Sequence, residues 1–280
     1  PPPPPPPPPP HFFFKQKTAY DIAQCLVGSG PNSTTLHYSA DDRFMRDGEV
    51  VVMDIGASYR GYAADVTRTV PVNGSFTPEQ RAIYQLVRNA QAAAERQAVL
   101  HAPALRMDDS ASAVLAAGLA RLGLIQSPTA TFDAPEGVCP RELPDGCAQL
   151  ALYYMHSLGH GIGLEVHDPE QWYYGEHRIE PGSAFTIEPG VYVRADLFEG
   201  LPDTPRNRAM IAALTPAVKR YANIGVRIED DYLVTDQGVE WVSRAPRELD
   251  EVEAAMREHG PIAPRDTTVI DWYRAPAPQP

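Results

Sequence analysis

The chain has 280 residues, 43% of them apolar, and a net charge of -12. That length can bury one large core or two small ones. No apolar run approaches the roughly 20 residues of a membrane span, and no basic tract exists to hold nucleic acid or an anionic bilayer, so a soluble globular protein with neither partner is expected.

Ten prolines, Pro1 to Pro10, open the chain, followed by "HFFFKQKTAYDI". Two of the three lysines, Lys15 and Lys17, fall here, whereas the remainder relies on arginine and alanine. This break, and a resemblance to translated sequencing-adaptor sequence, marks residues 1–21 as an artefact or a disordered segment outside the fold. A proline-rich linker in polyproline II is the alternative. Residues 22–260 are expected to form the folded domain and 261–280 a flexible tail.

"GEVVVMDIGA" reads as a strand, a β-branched run bounded by Gly48 and Gly56. "YAADVTRTVPV" reads as a second strand, with Ala63, Asp65, Thr67 and Thr69 on one face. A tight hairpin centred on Tyr59 and Arg60 sets Asp54 directly opposite Asp65, with Cβ atoms about 5 Å apart. Thr77 as N-cap, Pro78 at the first helical position and Gln80 in a capping box start a long helix. A second helix is expected from about Asp108 or Asp109 to Leu122, then a loop through Pro128, Pro135, Pro140 and Pro144. "LALYYMHSLGHGIGLEVHD" mixes strand with glycine turns, and "SAFTIEPGVYV" reads as one strand. "PRNRAMIAALTPAVKRYA" reads as an inserted helix kinked at Pro216. "NIGVRIEDDYLVTDQGVEWVS" reads as a hairpin turning at Asp236 to Gly238, and "PRELDEVEAAM" as a closing helix. Cys25, Cys139 and Cys147 are an odd, sparse set without a C-x-x-C; the last two can pair, but a reducing cytoplasm is the expected setting.

Two facing aspartates repel unless an arginine, a shared proton or a metal ion sits between them. An aspartic dyad or a glycosidase acid and nucleophile would each use such a pair. "HSLGHGIGLEVHD" adds His156, His160 and His167 among glycines that allow a ligand or substrate close to the backbone. "FTIEPG" adds Glu188, a carboxylate on an apolar strand, and "GVRIEDD" adds Glu229 on the same face as Arg227. Asp54, Asp65, His160, Glu188 and Glu229 together are hard oxygen donors with one imidazole, which suits Mn²⁺, Co²⁺, Fe²⁺ or Zn²⁺. Four carboxylates exceed the needs of one ion and suit two ions about 3.5 Å apart with bridging carboxylates.

The order D-x10-D, then H in a "GHG" loop, E in "IEPG" and E in "RIEDD" resembles the pita-bread metallopeptidases, which include aminopeptidase P, prolidase and methionine aminopeptidase. The resemblance runs from about Gly28 to Met256. "LHYSADDRFMRDGEVVVMDIGASYRGYAADVTRTVPVNGSFT" is similar to the proline-specific branch, and "LEVHDP" departs from the F-H-E-x-P of methionine aminopeptidases. The resemblance implies an α+β, pita-bread (creatinase/aminopeptidase-like) fold with a pseudo-twofold symmetric sheet and flanking helices. It implies two divalent ions, Mn²⁺ first among them. Asp54 would chelate one ion, His160 and Glu188 the other, and Asp65 and Glu229 would bridge both.

Glu188 would also act as general base. His167 would steady the tetrahedral intermediate, His37 would contact substrate near the scissile bond, and His156 would be a further histidine of the site. Arg227 would orient Glu229 and Asp65 from behind. The implied activity is hydrolysis of the bond between an N-terminal residue and proline (an Xaa-Pro aminopeptidase), with Xaa-Pro dipeptidase as alternative and a non-catalytic binding protein as a second. Proline-containing peptides are the implied partners, and a homo-oligomer is compatible with the family. One feature departs from that branch: its usual separate N-terminal domain has no counterpart in these residues. Asp196 to Tyr221 is a long insertion of a kind that prolidases also carry, so it does not separate aminopeptidase from dipeptidase.

Overall fold

The computed structural model describes residues 21–258, apart from 41, 140, 141, 144 and 169–176. The expected foreign segment, save Asp21, and the expected tail lie outside the described residues.

Strand β2 (Val50–Tyr59) is the spine of the first half. Val50, Val51 and Val52 are all buried, as in a strand covered on both faces. β1 (Asp21–Ser29) pairs antiparallel along one edge, and β3 (Tyr62–Ala63) and β4 (Val66–Pro71) along the other. The second strand expected from the sequence is thus broken at Ala64 and Asp65. The hairpin turn also sits one residue later than expected. Tyr59 pairs with Tyr62, and the corner residues are Arg60 (φ 53°) and Gly61 (φ 89°). A two-residue hairpin needs left-handed backbone at both corners, which glycine adopts freely, so Gly61 fixes the turn. That one-residue displacement moves the register by two. Asp54 faces Thr67, and Asp65 lies one diagonal step further along the same face rather than directly opposite.

Helix α1 (Pro78–Glu95) starts as expected, with Thr77 and Gln80 completing the capping box. Helix α2 (Leu105–Leu122) starts three residues earlier than Asp108 and ends at Gly123. The expected proline loop contains a small sheet of β5 (Thr131–Phe132), β6 (Glu142–Leu143) and β7 (Gly146–Ala148), with Cys139 and Cys147 joined by a disulfide. "SAFTIEPGVYV" is two strands, β8 (Ala184–Ile187) and β9 (Gly190–Val193). Helix α3 (Pro205–Tyr221) carries Pro216 inside it. β10 (Ile224–Arg227), β11 (Asp230–Thr235) and β12 (Gly238–Trp241) follow, with the β11–β12 turn after Thr235, and α4 (Leu249–Arg257) closes the described chain.

β8 pairs with β11 and β9 with β10 in one continuous register, Ile187 facing Asp230 and Gly190 facing Arg227. The ladder lapses only at Glu188–Pro189 and Ile228–Glu229, where proline offers no N–H. By that register Glu188 faces Glu229 across the gap. The sequence placed an opposed acidic pair on the first hairpin; the fold places one here. Helix α1 packs its apolar stripe, Ile83, Leu86, Val87 and Ala90, against α2 and this ribbon. Among the described residues no helix is long and apolar enough to cross a membrane.

Candidate metal centre

Four structural units converge. β2 brings Asp54, the break between β3 and β4 brings Asp65, and the ribbon gap brings Glu188 and Glu229. His160 comes from the loop beside β8, which is tied down by its own backbone. The Thr186 N–H donates to the His160 carbonyl (2.9 Å), the His160 N–H to Thr186 Oγ1 (3.1 Å), and the Glu188 N–H to the Leu158 carbonyl (2.7 Å). Gly159 makes this possible: a Cβ there would stand 2.0 Å from the Thr186 carbonyl oxygen. At this glycine the close neighbour is the chain's own strand rather than a ligand.

His160 Nε2 lies 3.5 Å from Glu188 Oε1, 3.6 Å from Asp65 Oδ2 and 3.7 Å from Glu229 Oε1. Three sets of side chains bring a donor atom each within 4.8 Å of one another: Asp54, Asp65 and Glu229; His160, Glu188 and Glu229; and Asp65, His160 and His167. All five expected ligands are therefore together, and Asp65 and Glu229 each belong to two sets. The same pocket, about 240 Å³, is lined by His37 and His156 as well. The His160 and His167 rings are 4.1 Å apart between centres.

Electrostatics explain what holds the cage. Asp54, Asp65 and Glu229 are at most 3% exposed. Arg227, also buried, donates to Asp54 Oδ2 at 2.6 Å, to Thr67 Oγ1 at 3.1 Å and to the Tyr192 hydroxyl at 3.1 Å. Thr67 passes the contact on, donating to Glu229 Oε2 at 2.7 Å. The expectation for Arg227 is corrected in part: it reaches Glu229 through Thr67, but its carboxylate partner is Asp54 rather than Asp65. That follows from the shifted hairpin, which sets Thr67 opposite Asp54. Asp65 is held by its backbone, donating its N–H to Asp231 Oδ2 (3.2 Å) and Oδ1 (3.3 Å).

Crowded carboxylates with one guanidinium retain protons. Burial, then the charges of Glu229 and Asp54, push Asp65 up to about 11. Burial and Glu229 also raise Glu188 well above the carboxylate range. Burial pulls His160 down, but the nearby Glu229 and Glu188 carboxylates prevail and lift it to about 9. His167 is lowered, by burial and by His160.

Buried Asp65 Oδ1 and Glu229 Oε1 have no hydrogen-bond partner among the described residues. Orphaned buried oxygens cost about 1–3 kcal/mol each. A hard cation among such oxygens and an imidazole offsets that cost, so the residues present fit a metal.

Comparison with known proteins gives the lineage. The model for metallopeptidase family M24 matches residues 11–236. The chain belongs to that family. The M24 match begins inside the segment expected to be foreign and ends at the β11–β12 turn. An Xaa-Pro aminopeptidase of Escherichia coli is 33% identical over 246 residues, covering 85% of this chain and 48% of that protein. A human Xaa-Pro dipeptidase is 31% identical over 255 residues, covering 83% and 48%. Among solved structures, the Pseudomonas aeruginosa aminopeptidase PepP superposes with a TM-score of 0.66 at 33% identity, covering 85% of this chain and 48% of that one. The chain spans about half the length of the curated relatives it matches. The fold is the α+β pita-bread fold of M24.

Two contributors escaped the sequence reading. Tyr192 binds both Arg227 and His156 Nε2 (2.9 Å) through its hydroxyl. It stands four residues after Glu188, a same-face strand spacing that could have drawn attention. Asp231, two residues past Glu229, had the same signal.

Proposed function

We propose that this chain is the catalytic part of a two-metal Xaa-Pro aminopeptidase. The observation that carries the reading is the cage itself: four carboxylates and one imidazole with donor atoms in overlapping sets, and buried oxygens of Asp65 and Glu229 that find no hydrogen-bond partner among the described residues. The similarity to aminopeptidases P supports the substrate class.

Asp54, Asp65 and Glu229 would hold one ion, and His160, Glu188, Asp65 and Glu229 the other, Mn²⁺ being the first choice and Co²⁺, Fe²⁺ or Zn²⁺ the alternatives. When bound, the pair of ions would polarise the scissile carbonyl and help position the attacking water. Glu188, on the pocket wall, takes the proton of that water as general base. His167 donates to the developing oxyanion, its proton affinity lowered by burial and by His160. His37 lines the same pocket and would contact the substrate near the scissile bond. His156, steadied by Tyr192 and by the Ser157 carbonyl at 2.8 Å, supports the wall next to Glu188.

The second reading is an Xaa-Pro dipeptidase, favoured by the similarity to human and mouse dipeptidases. Purified protein given Xaa-Pro-Yaa tripeptides and Xaa-Pro dipeptides separates the two. Turnover of the tripeptide and its loss on chelation are expected; turnover of the dipeptide alone refutes the first reading, and full activity after chelation refutes both. The cytoplasmic setting rests on sparse cysteines. The Cys139–Cys147 bond argues the other way, because a reducing cytoplasm keeps thiols apart. Alkylation of the protein as extracted from cells, read by mass spectrometry, decides between them.

A further inference from the structure

Gln91 is an anomaly. It lies mid-helix on α1, fully buried, among Val87, Ala90 and Ala94. A buried amide requires partners. Its Nε2 points to three acceptors: the Ile187 carbonyl (3.2 Å), the Ile228 carbonyl (3.4 Å) and Asp230 Oδ2 (2.9 Å). Ile187 precedes Glu188, Ile228 precedes Glu229, and Asp230 follows Glu229. One side chain therefore spans the ribbon gap from behind, at the point where the two glutamates face each other.

The gap explains why a donor is required. The Ile228 N–H donates to the Pro189 carbonyl at 3.4 Å, so residues 189 and 228 occupy a ladder position at which a reciprocal N–H from residue 189 would ordinarily meet the Ile228 carbonyl. Proline cannot return the bond, and the Ile228 carbonyl lacks its ladder donor. The Gln91 amide takes that place. Asp230, fully buried, anchors the amide in turn, receiving Arg68 at 2.6 Å, Ser243 at 2.8 Å and Arg247 at 2.9 Å. Arg68 also grips the Glu229 carbonyl at 2.6 Å and the Thr67 carbonyl at 2.8 Å.

We infer that Gln91 is a positioning residue: it replaces the N–H missing at Pro189 and so fixes the separation of Glu188 and Glu229. It is not among the residues that line the pocket. The inference rests on the two-metal reading above, and the experiment keeps the two apart. Metal-stripped protein is titrated with Mn²⁺ alone by calorimetry, for the parent, Gln91→Met, Pro189→Ala and the double variant. Methionine keeps the length of glutamine and removes the donor; alanine at 189 restores an N–H opposite Ile228.

Loss of a residue that orients a ligand typically lowers metal affinity about 10–100-fold, and that loss is expected in Gln91→Met. In the Pro189→Ala background the same replacement should cost less than about threefold, since the ladder bond no longer depends on the amide. A general packing defect would lower the melting temperature equally in both backgrounds and would not show this rescue. If Gln91→Met fails to fold, the double variant should fold and bind. Parent protein that takes up no pair of ions refutes the two-metal reading. Parent that binds two ions alongside a Gln91→Met variant of equal affinity, or a double variant as impaired as the single one, overturns the role of Gln91.

Discussion

Replacing Arg227 by methionine tests what restrains the carboxylate cage. The guanidinium and Asp54 meet at 2.6 Å, each side chain 4% exposed, and the same group serves Thr67 and Tyr192. Removing one partner of a buried ion pair costs about 3–5 kcal/mol, because the remaining charge has lost both water and counter-ion. In a domain of this size 1 kcal/mol corresponds to about 2–4 °C in melting temperature, so Arg227→Met should melt about 6–20 °C below the parent when both are stripped of metal. Arg227→Lys retains charge but cannot fork to three acceptors at once, and should lose about half as much. Differential scanning calorimetry of metal-free protein near neutral pH provides the measurement. A methionine variant melting within about 3 °C of the parent, or a lysine variant falling as far as methionine, refutes the reasoning.

Gly159→Ala should push the His160 loop off β8, since its Cβ would stand 2.0 Å from the Thr186 carbonyl; overpacking of this kind costs about 1–3 kcal/mol, and Mn²⁺ affinity should fall with stability in a calorimetric titration. Gly61→Ala meets open space but must hold a φ of 89°, so a cost of about 1–2 kcal/mol from backbone strain alone is expected in denaturant melts. One residue inserted between Tyr59 and Arg60 should abolish metal uptake more completely than Tyr59→Ala, because a slip of one turns one of the two aspartates to the other face. Asp65, pushed up to about 11, and His160, lifted to about 9, both bind protons more tightly in the folded chain than at their unfolded values of about 3.9 and 6.5. Their contribution to metal-free stability is fully present at low pH and is lost as pH rises through roughly 4–11 for Asp65 and 6.5–9 for His160. Mn²⁺ uptake at pH 7 should therefore release protons, seen as a binding enthalpy that depends on the buffer; buffer-independent heats would contradict this.

The ligands were legible because each sits in a short motif with local logic. Asp54 and Asp65 occupy a hairpin, His160 a glycine loop, and Glu188 and Glu229 charged positions on apolar strands. The register was not, because it depends on which two residues accept left-handed backbone, and "SYRGY" allows two placements that differ by one residue. Nor was the opposed pair at Glu188 and Glu229, since their segments are separated by α3 and meet only by long-range pairing. The small sheet of β5, β6 and β7 hid in a proline-rich stretch whose two- and three-residue strands carry no periodicity. Gln91 and Arg68 read as ordinary members of a helix and a strand; their roles arise from backbone carbonyls that no side-chain pattern reveals.

The continuous register of the β8/β9 and β10/β11 ribbon has an evolutionary corollary. Its yardstick for the two glutamates is the strand repeat, which does not depend on how the far end is joined. The connection 194–223, α3 included, leaves the ribbon beyond Val193 and re-enters at Ile224, directly opposite Val193. Lineages can lengthen, shorten or replace that excursion while the metal-facing end keeps its spacing. New termini opened there by circular permutation should therefore leave the cage intact. The same end can acquire contacts for different peptides at little risk to the chemistry.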